Sequence, residues 1–148
     1  MNNSLHFIPL FLFAFAVVVG ASPYQACQSE LGTVSDVRVS KCDNSPCILP
    51  RGGQVTIEVD FTLSAEVKTA QESVFGIING MHLPFPTTSP NACSGKGLTC
   101  PLKQGVKYTY KSVIPISSIF PKLQLVVEWN VVEGTKKLFC VKIPALLQ

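Results

Sequence analysis

Charge is scarce in this chain: Asp, Glu, Lys and Arg together make up 14% of its 148 residues, where a soluble domain usually carries about 25%. That excludes a disordered tail or an acidic linker, both of which are built from charge. Lys and Arg number 12 against 9 Asp and Glu, and the resulting +3 is too small and too scattered for a nucleic-acid binder, which presents a dense basic patch. Nucleic acid is not expected as a partner. Histidine is almost absent as well, with two in all, and only His82 lies beyond the N-terminal leader. With no Cys-x-x-Cys pair beside that histidine, a zinc site lacks its ligands, and no cofactor is expected.

The same shortages leave little for catalysis. A nucleophilic triad needs a base within reach of Ser or Cys, and one histidine with an even set of cysteines is a poor start. Glu58 and Asp60 are two apart and share a strand face, the minimum for a glycosidase carboxylate pair, but alternating polar positions on a strand ordinarily face solvent. Gly52-Gly53 has neither a Walker pattern nor a helix behind it and reads as a turn. Lys103, Lys107 and Lys111, four apart, read as a solvated face more readily than as a lipid-facing one. An enzyme is not expected.

What the chain has in quantity is apolar residues, 47% of the total, enough for one sizeable core in one domain. The first apolar run is not part of it. Residues 5–19 read LHFIPLFLFAFAVVV, and Val19-Gly20-Ala21 places small residues where signal peptidase cuts. The run is shorter than the roughly 20 residues of a membrane span and is interrupted by His6 and Pro9. A secretory signal peptide over residues 1–21 is expected, leaving 148 − 21 = 127 residues, 22–148, as the mature domain. The single Asn-x-Ser/Thr site, Asn2-Asn3-Ser4, would leave with the leader, so no N-glycan is expected.

All six cysteines, Cys27, Cys42, Cys47, Cys93, Cys100 and Cys140, lie in the mature part, as a secreted protein with three disulfides would require. Fifteen pairings are possible in principle. The segments from Cys42 to Cys47 and from Cys93 to Cys100 are short and turn-rich and can close on themselves. In that case Cys27 and Cys140 would join the chain ends.

Alternation dominates the mature chain. Residues 54–64 place Val55, Ile57, Val59, Phe61 and Leu63 on one face and Thr56, Glu58, Asp60, Thr62 and Ser64 on the other, the period of a half-buried strand. Residues 122–132 repeat it with Leu123, Leu125, Val127, Trp129 and Val131, and residues 106–112 with Val106, Tyr108 and Tyr110. Weaker strands are expected over 33–40, 74–79 and 138–143, and no stretch carries a capped helical period. Six or seven short strands in about 127 residues describe an all-β sandwich or barrel.

Several segments then fall into one ordered series. Cys42-x4-Cys47-Ile48-Leu49-x2-Gly52 is followed by Gly80-Met81-His82-Leu83-Pro84-Phe85-Pro86 and by Cys93 to Cys100-Pro101. After these come Tyr108-Thr109-Tyr110, Ile114-Pro115-Ile116, Phe120-Pro121, Leu125-Val126-Val127-Glu128-Trp129 and Leu138-Phe139-Cys140-Val141-Lys142-Ile143-Pro144. Across the whole mature chain the series resembles the Niemann-Pick type C two, or epididymal secretory protein, family of ML (lipid-recognition) domains. The resemblance implies an immunoglobulin-like β-sandwich of two antiparallel sheets with an inter-sheet lipid pocket. It also implies the disulfides Cys27 with Cys140, Cys42 with Cys47 and Cys93 with Cys100.

By the same resemblance the pocket is lined by Phe85, Ile116 and Phe120, with Val39, Tyr110, Pro115 and Trp129 nearby, and Met81, His82 and Leu83 form its lip. Trp129 and Tyr110 read as plainly as ordinary core, whereas the prolines flanking Phe85 argue against regular pairing there. The function implied is a monomeric carrier, secreted or lysosomal, that takes a sterol or other hydrophobic lipid and hands it to a membrane or membrane protein. Phe120 stands where sterol-specific members have tyrosine, and Gln28 where they have glycine after the first cysteine. That more apolar mouth raises fatty acids or hydrophobic semiochemicals as the alternative ligands, and an innate-immune lipid-recognition module as the alternative role. His82, with an ordinary imidazole pKa near ~6.5, would gain charge between neutral and lysosomal pH; its plain reading is an exposed loop histidine.

Overall fold

The computed structural model describes residues 23–148. The leader over residues 1–21 and the Asn2 site lie outside the described residues. Nine strands run through the described part: β1 (Gln25–Ala26), β2 (Gly32–Val39), β3 (Cys47–Leu49), β4 (Gln54–Leu63), β5 (Gln71–Ile78), β6 (Met81–Phe85), β7 (Lys107–Pro115), β8 (Gln124–Glu133) and β9 (Lys136–Leu147). They form two sheets, β1-β9-β8-β5-β6 with β3 also on β9, and β2-β4-β7. No helix occurs among the described residues. The pairing is antiparallel throughout except for β3, which runs parallel to β9 with Cys47 opposite Ala145.

The alternation predicted for β4 holds: Val55, Ile57, Val59, Phe61 and Leu63 are all buried. They face Val131, Phe139 and Val141 of the other sheet, also buried, and the two inner faces interdigitate as a sandwich core does. At one end the packing is aromatic, with Phe139 5.1 Å from Phe61 and 5.3 Å from Tyr110 between ring centroids. On the predicted polar face of β4, Asp60 is buried as well, because Arg38 of β2 forks onto it at 2.9 and 3.1 Å and Thr109 of β7 donates to it at 2.7 Å. The carboxylates read as possible acid-base partners are thus ion-paired across three strands.

Three expectations need correction. Val106 lies outside β7 and is exposed, and the strand runs on past Ser112 to Pro115, which buries Ile114. The segment 83–86, whose prolines argue against regular pairing, instead enters β6 (81–85) against β5, with Phe85 opposite Val74 and Pro84 opposite Phe75. An edge strand tolerates proline because its outward side needs no donor. His82 therefore sits in a strand and not in a loop.

The disulfides join Cys27 to Cys140, Cys42 to Cys47 and Cys93 to Cys100. The first spans 113 residues and, in the chain-entropy picture, contributes on the order of 4 to 5 kcal/mol by restricting the unfolded chain. The loop closed by Cys93 and Cys100 covers the free edge of β7, where the Lys111 amide donates to the Lys96 carbonyl at 2.9 Å. Its close approach requires Gly97: φ is +80°, and a Cβ there would lie 2.6 Å from the Thr109 carbonyl oxygen.

Candidate functional site

Away from the aromatic end, the two sheets part around a cavity. The three-stranded sheet contributes Val39, Val55, Ile57 and Ile114, with Ile116 just beyond β7; the six-stranded sheet contributes Leu49, Val74, Phe85, Leu125, Val127, Trp129, Ile143 and Leu147. All thirteen are apolar. The cavity's volume is only about 40 Å³, far short of the roughly 300 Å³ at which small-molecule pockets begin. An apolar void of this kind stays dry, and any lipid that enters has to push the sheets apart.

Phe85 and Phe120 stand at its mouth with ring centroids 5.3 Å apart, tilted by 58°. Two outer grooves meet at this pair. One, of about 280 Å³, is walled by Gly76, Leu83, Pro84, Pro121 and Leu123 among others; the second, of about 440 Å³, is walled by Gly52, Gly53, Thr87, Thr88, Ser117 and Ser118. Neither groove has a charged residue in its walls.

The inner end is closed by a polar cluster that the sequence did not reveal. Trp129 lines the cavity and donates its indole N–H to the Tyr110 hydroxyl at 3.1 Å. Tyr110, fully buried, donates in turn to Glu72, which also accepts from Lys96 at 2.6 Å; Lys96 donates to Ser112 at 3.0 Å. Burial, reinforced by the adjacent Glu72 charge, pushes the Tyr110 hydroxyl far above the ordinary phenol range. The second carboxylate oxygen of Glu72 is buried without a partner. Nothing in the spacing of Glu72 and Lys96, 24 residues apart, marks them as a pair.

Of the residues expected at the pocket, Val39, Phe85, Ile116 and Trp129 line the cavity, and Phe120 packs on Phe85 at its mouth. Tyr110 lies one layer behind Trp129 and does not itself line the cavity, while Pro115 is exposed and walls the larger outer groove. Met81 and Leu83 are exposed at the β6 edge. His82 is turned to the outer face of the sheet, with Nε2 3.3 Å from the Glu128 carboxylate and its ring edge-on to Phe75. Burial works to raise the Glu128 carboxyl, but hydrogen bonds from Asn130 and His82 and the charge of Lys137 outweigh it and hold the group below its usual range. Lys103, Lys107 and Lys111 are exposed, and Lys111 pairs with Glu58 at 3.4 Å.

Leu49, Val55, Ile57, Val74, Ile114, Leu125, Val127, Ile143 and Leu147 were not singled out beforehand as lining. Most fall on strand faces whose alternation is legible, but alternation does not say which part of an inner face meets a neighbour and which meets a void. Among the described residues no cluster of His, Cys, Asp or Glu could hold a metal ion, and no helix is long and apolar enough to cross a membrane.

Comparison with known proteins agrees with this geometry. The ML domain family matches residues 21–147. The ecdysteroid-regulated 16 kDa protein of Manduca sexta is 39% identical over 124 residues, 82% of this chain and 86% of its own length. The NPC intracellular cholesterol transporter 2 homolog a of Drosophila melanogaster is 33% identical over 138 residues, 91% of this chain and 93% of its own. The crystal structure of a Niemann-Pick type C2 protein from the Japanese carpenter ant superposes with a TM-score of 0.80 at 32% identity, covering 84% of this chain and 98% of that one.

Proposed function

The chain belongs to the ML-domain family, and on that premise we propose that it is a non-enzymatic carrier of a neutral, sterol-like lipid held between the sheets. The observation that carries this reading is the composition of the cavity: thirteen apolar residues and no charge, with only hydroxyls, those of Thr87, Thr88, Ser117 and Ser118, in the larger groove outside. A rigid hydrocarbon body with one hydroxyl satisfies both regions. A carboxylate headgroup would find no counter-charge in these walls and would have to remain in solvent. The cholesterol-transporter name of the fly relative supports the same ligand class.

In this reading Phe85, Phe120 and Ile116 grip the ligand at the mouth, and Val39 and Trp129 meet it farther in. Tyr110 supports Trp129 from behind, and Pro115 shapes the groove. Burying about 300 Å² of ligand apolar surface contributes several kcal/mol at ~25 cal/mol per Å², part of which opens the closed cavity and offsets the loss of ligand freedom. Met81 and Leu83, exposed beside the mouth, suit brief contact with a membrane or membrane protein as donor or acceptor. The protein acts as a monomer in a secreted or lysosomal setting.

Displacement of a fluorescent sterol from the mature protein tests the reading. Competition by cholesterol but not by oleic acid, lost in Phe85→Ala, is the expected result. Displacement by oleic acid alone would transfer the function to a fatty-acid or semiochemical carrier, and absence of binding by either would leave the recognition-module role.

A further inference from the structure

The cavity is too narrow to admit a lipid as it stands, so the segment that carries Phe120 at its mouth has to move for one to enter. Phe120 sits in the connection between β7 and β8, residues 116–123, which has few ties. Its amide donates to the Ser117 carbonyl at 3.3 Å, and the Ile119 amide donates to the Ser117 hydroxyl at 3.3 Å. Both bonds are internal to the turn. The tip, Ile119, is 87% exposed. Among the described residues, one hydrogen bond reaches positions 117–122 from elsewhere in the molecule: Arg51 Nη1 donates to the Phe120 carbonyl at 3.0 Å, across 69 residues of chain.

Arg51 is itself held rigidly. It occupies the turn between β3 and β4, where its amide donates to the Gln148 carbonyl at 2.8 Å and the Gly53 amide donates to the Pro50 carbonyl at 3.0 Å. The same turn grips the start of the mouth segment, with the Gly52 amide donating to the Ile116 carbonyl at 2.6 Å and the Ile116 amide donating to the Gly53 carbonyl at 2.8 Å. Among the described residues the guanidinium makes no ion pair, and its Nε is buried without a partner. A cation kept at that cost on a carbonyl, when a carboxylate would satisfy it better, is placed for the carbonyl.

We infer that Arg51 is a positioning residue for lipid entry: its hydrogen bond to the Phe120 carbonyl fixes the Phe120 ring against Phe85 and sets how often the mouth opens. It rests on the carrier reading for its transport consequence, though not for the clamp itself. Loosening a gate speeds entry and exit together, whereas removing a contact with the ligand speeds exit alone.

The test is stopped-flow association and dissociation of a fluorescent sterol with wild type, Arg51→Met and Arg51→Lys, together with amide exchange at Ile119 and Phe120 in lipid-free protein. Arg51→Met is expected to raise both rate constants roughly tenfold with Kd changed by less than about twofold, the scale set by one charged hydrogen bond. Exchange at the two amides should quicken in parallel, and Arg51→Lys, which keeps one donor, should return most of the wild-type behaviour. Faster dissociation alone, with Kd weakened in proportion, would overturn the inference by making Arg51 a ligand contact. Wild-type exchange in Arg51→Met, or Arg51→Lys no better than Arg51→Met, would also overturn it. A wild type that takes up no sterol overturns the carrier reading, and the exchange measurement still judges the clamp. Should Arg51→Met not fold, Arg51→Gln, whose amide is too short to span to the carbonyl, replaces it.

Discussion

Phe85 and Phe120 meet from different parts of the chain, one at the end of an edge strand and the other in a connection, with their rings 5.3 Å apart. Behind them lies a cavity without a polar residue; in front lie grooves open to water. Phe85→Ala removes one half of this pair. Sterol affinity is expected to fall by ten- to a hundredfold, about 1.5 to 3 kcal/mol. Thermal unfolding should move less, because Phe85 is only half-buried. Titration of a fluorescent sterol beside a melting curve separates the two effects.

Tyr110 behaves in the opposite sense. Its hydroxyl receives the Trp129 indole N–H and donates to Glu72, so Tyr110→Phe strands a buried donor and weakens the hold on a buried carboxylate. The expected loss of folding stability is about 2 to 4 kcal/mol, read by denaturant unfolding. Lipid affinity of the folded fraction should change by less than about threefold, since Tyr110 does not itself line the cavity.

Acid should reach Asp60 only below the usual carboxylate range. The Arg38 guanidinium, with the Thr109 hydroxyl next, holds its carboxyl down to about 2. A depressed carboxylate adds stability above its unfolded value of about 3.9, and that stability drains away as pH falls toward the folded value. Arg38→Met should therefore cost on the order of 1 kcal/mol at neutral pH, after solvent screening of the half-exposed arginine, and the difference from wild type should shrink below about pH 4 and vanish only below about pH 2. Urea unfolding of both proteins as a function of pH measures it.

Gly97 tests the loop that covers β7. Alanine there meets both a positive φ and the Thr109 carbonyl 2.6 Å away, so Gly97→Ala should destabilise by about 2 kcal/mol or more. Gly95, also at positive φ but with nothing within 4 Å of a Cβ, should cost about 1 kcal/mol when replaced by alanine. Parallel thermal melts of the two variants provide the comparison.

The faces of β4 and β8 were legible because apolar and polar residues alternate over all ten positions of β4 and over most of β8, where Val126 and Val132 interrupt the pattern. β6 was not, since Pro84 reads as a break until the strand is known to lie on an edge with its pairing side filled by β5. Ile114 fell outside the strand expected over 106–112, whereas β7 runs on to Pro115 and buries Ile114. Phe85 and Phe120 stood out through their family positions, whereas nothing in the sequence pattern singles out Glu72 and Lys96. Their pairing is a product of the Cys93 to Cys100 loop folding over the core, and a pattern confined to one strand cannot contain it. Arg51 was invisible for the same reason, as its partner is a backbone carbonyl 69 residues away.

The polar cluster behind Trp129 has a kinetic meaning beyond its part in folding. With that end filled by Tyr110, Glu72 and Lys96, a lipid carried as proposed would enter and leave past the same two phenylalanines. A donor and an acceptor therefore compete for one doorway and cannot be engaged together. Exchange between two partners should follow ping-pong kinetics, with each partner inhibiting at high concentration by occupying the half-cycle that belongs to the other.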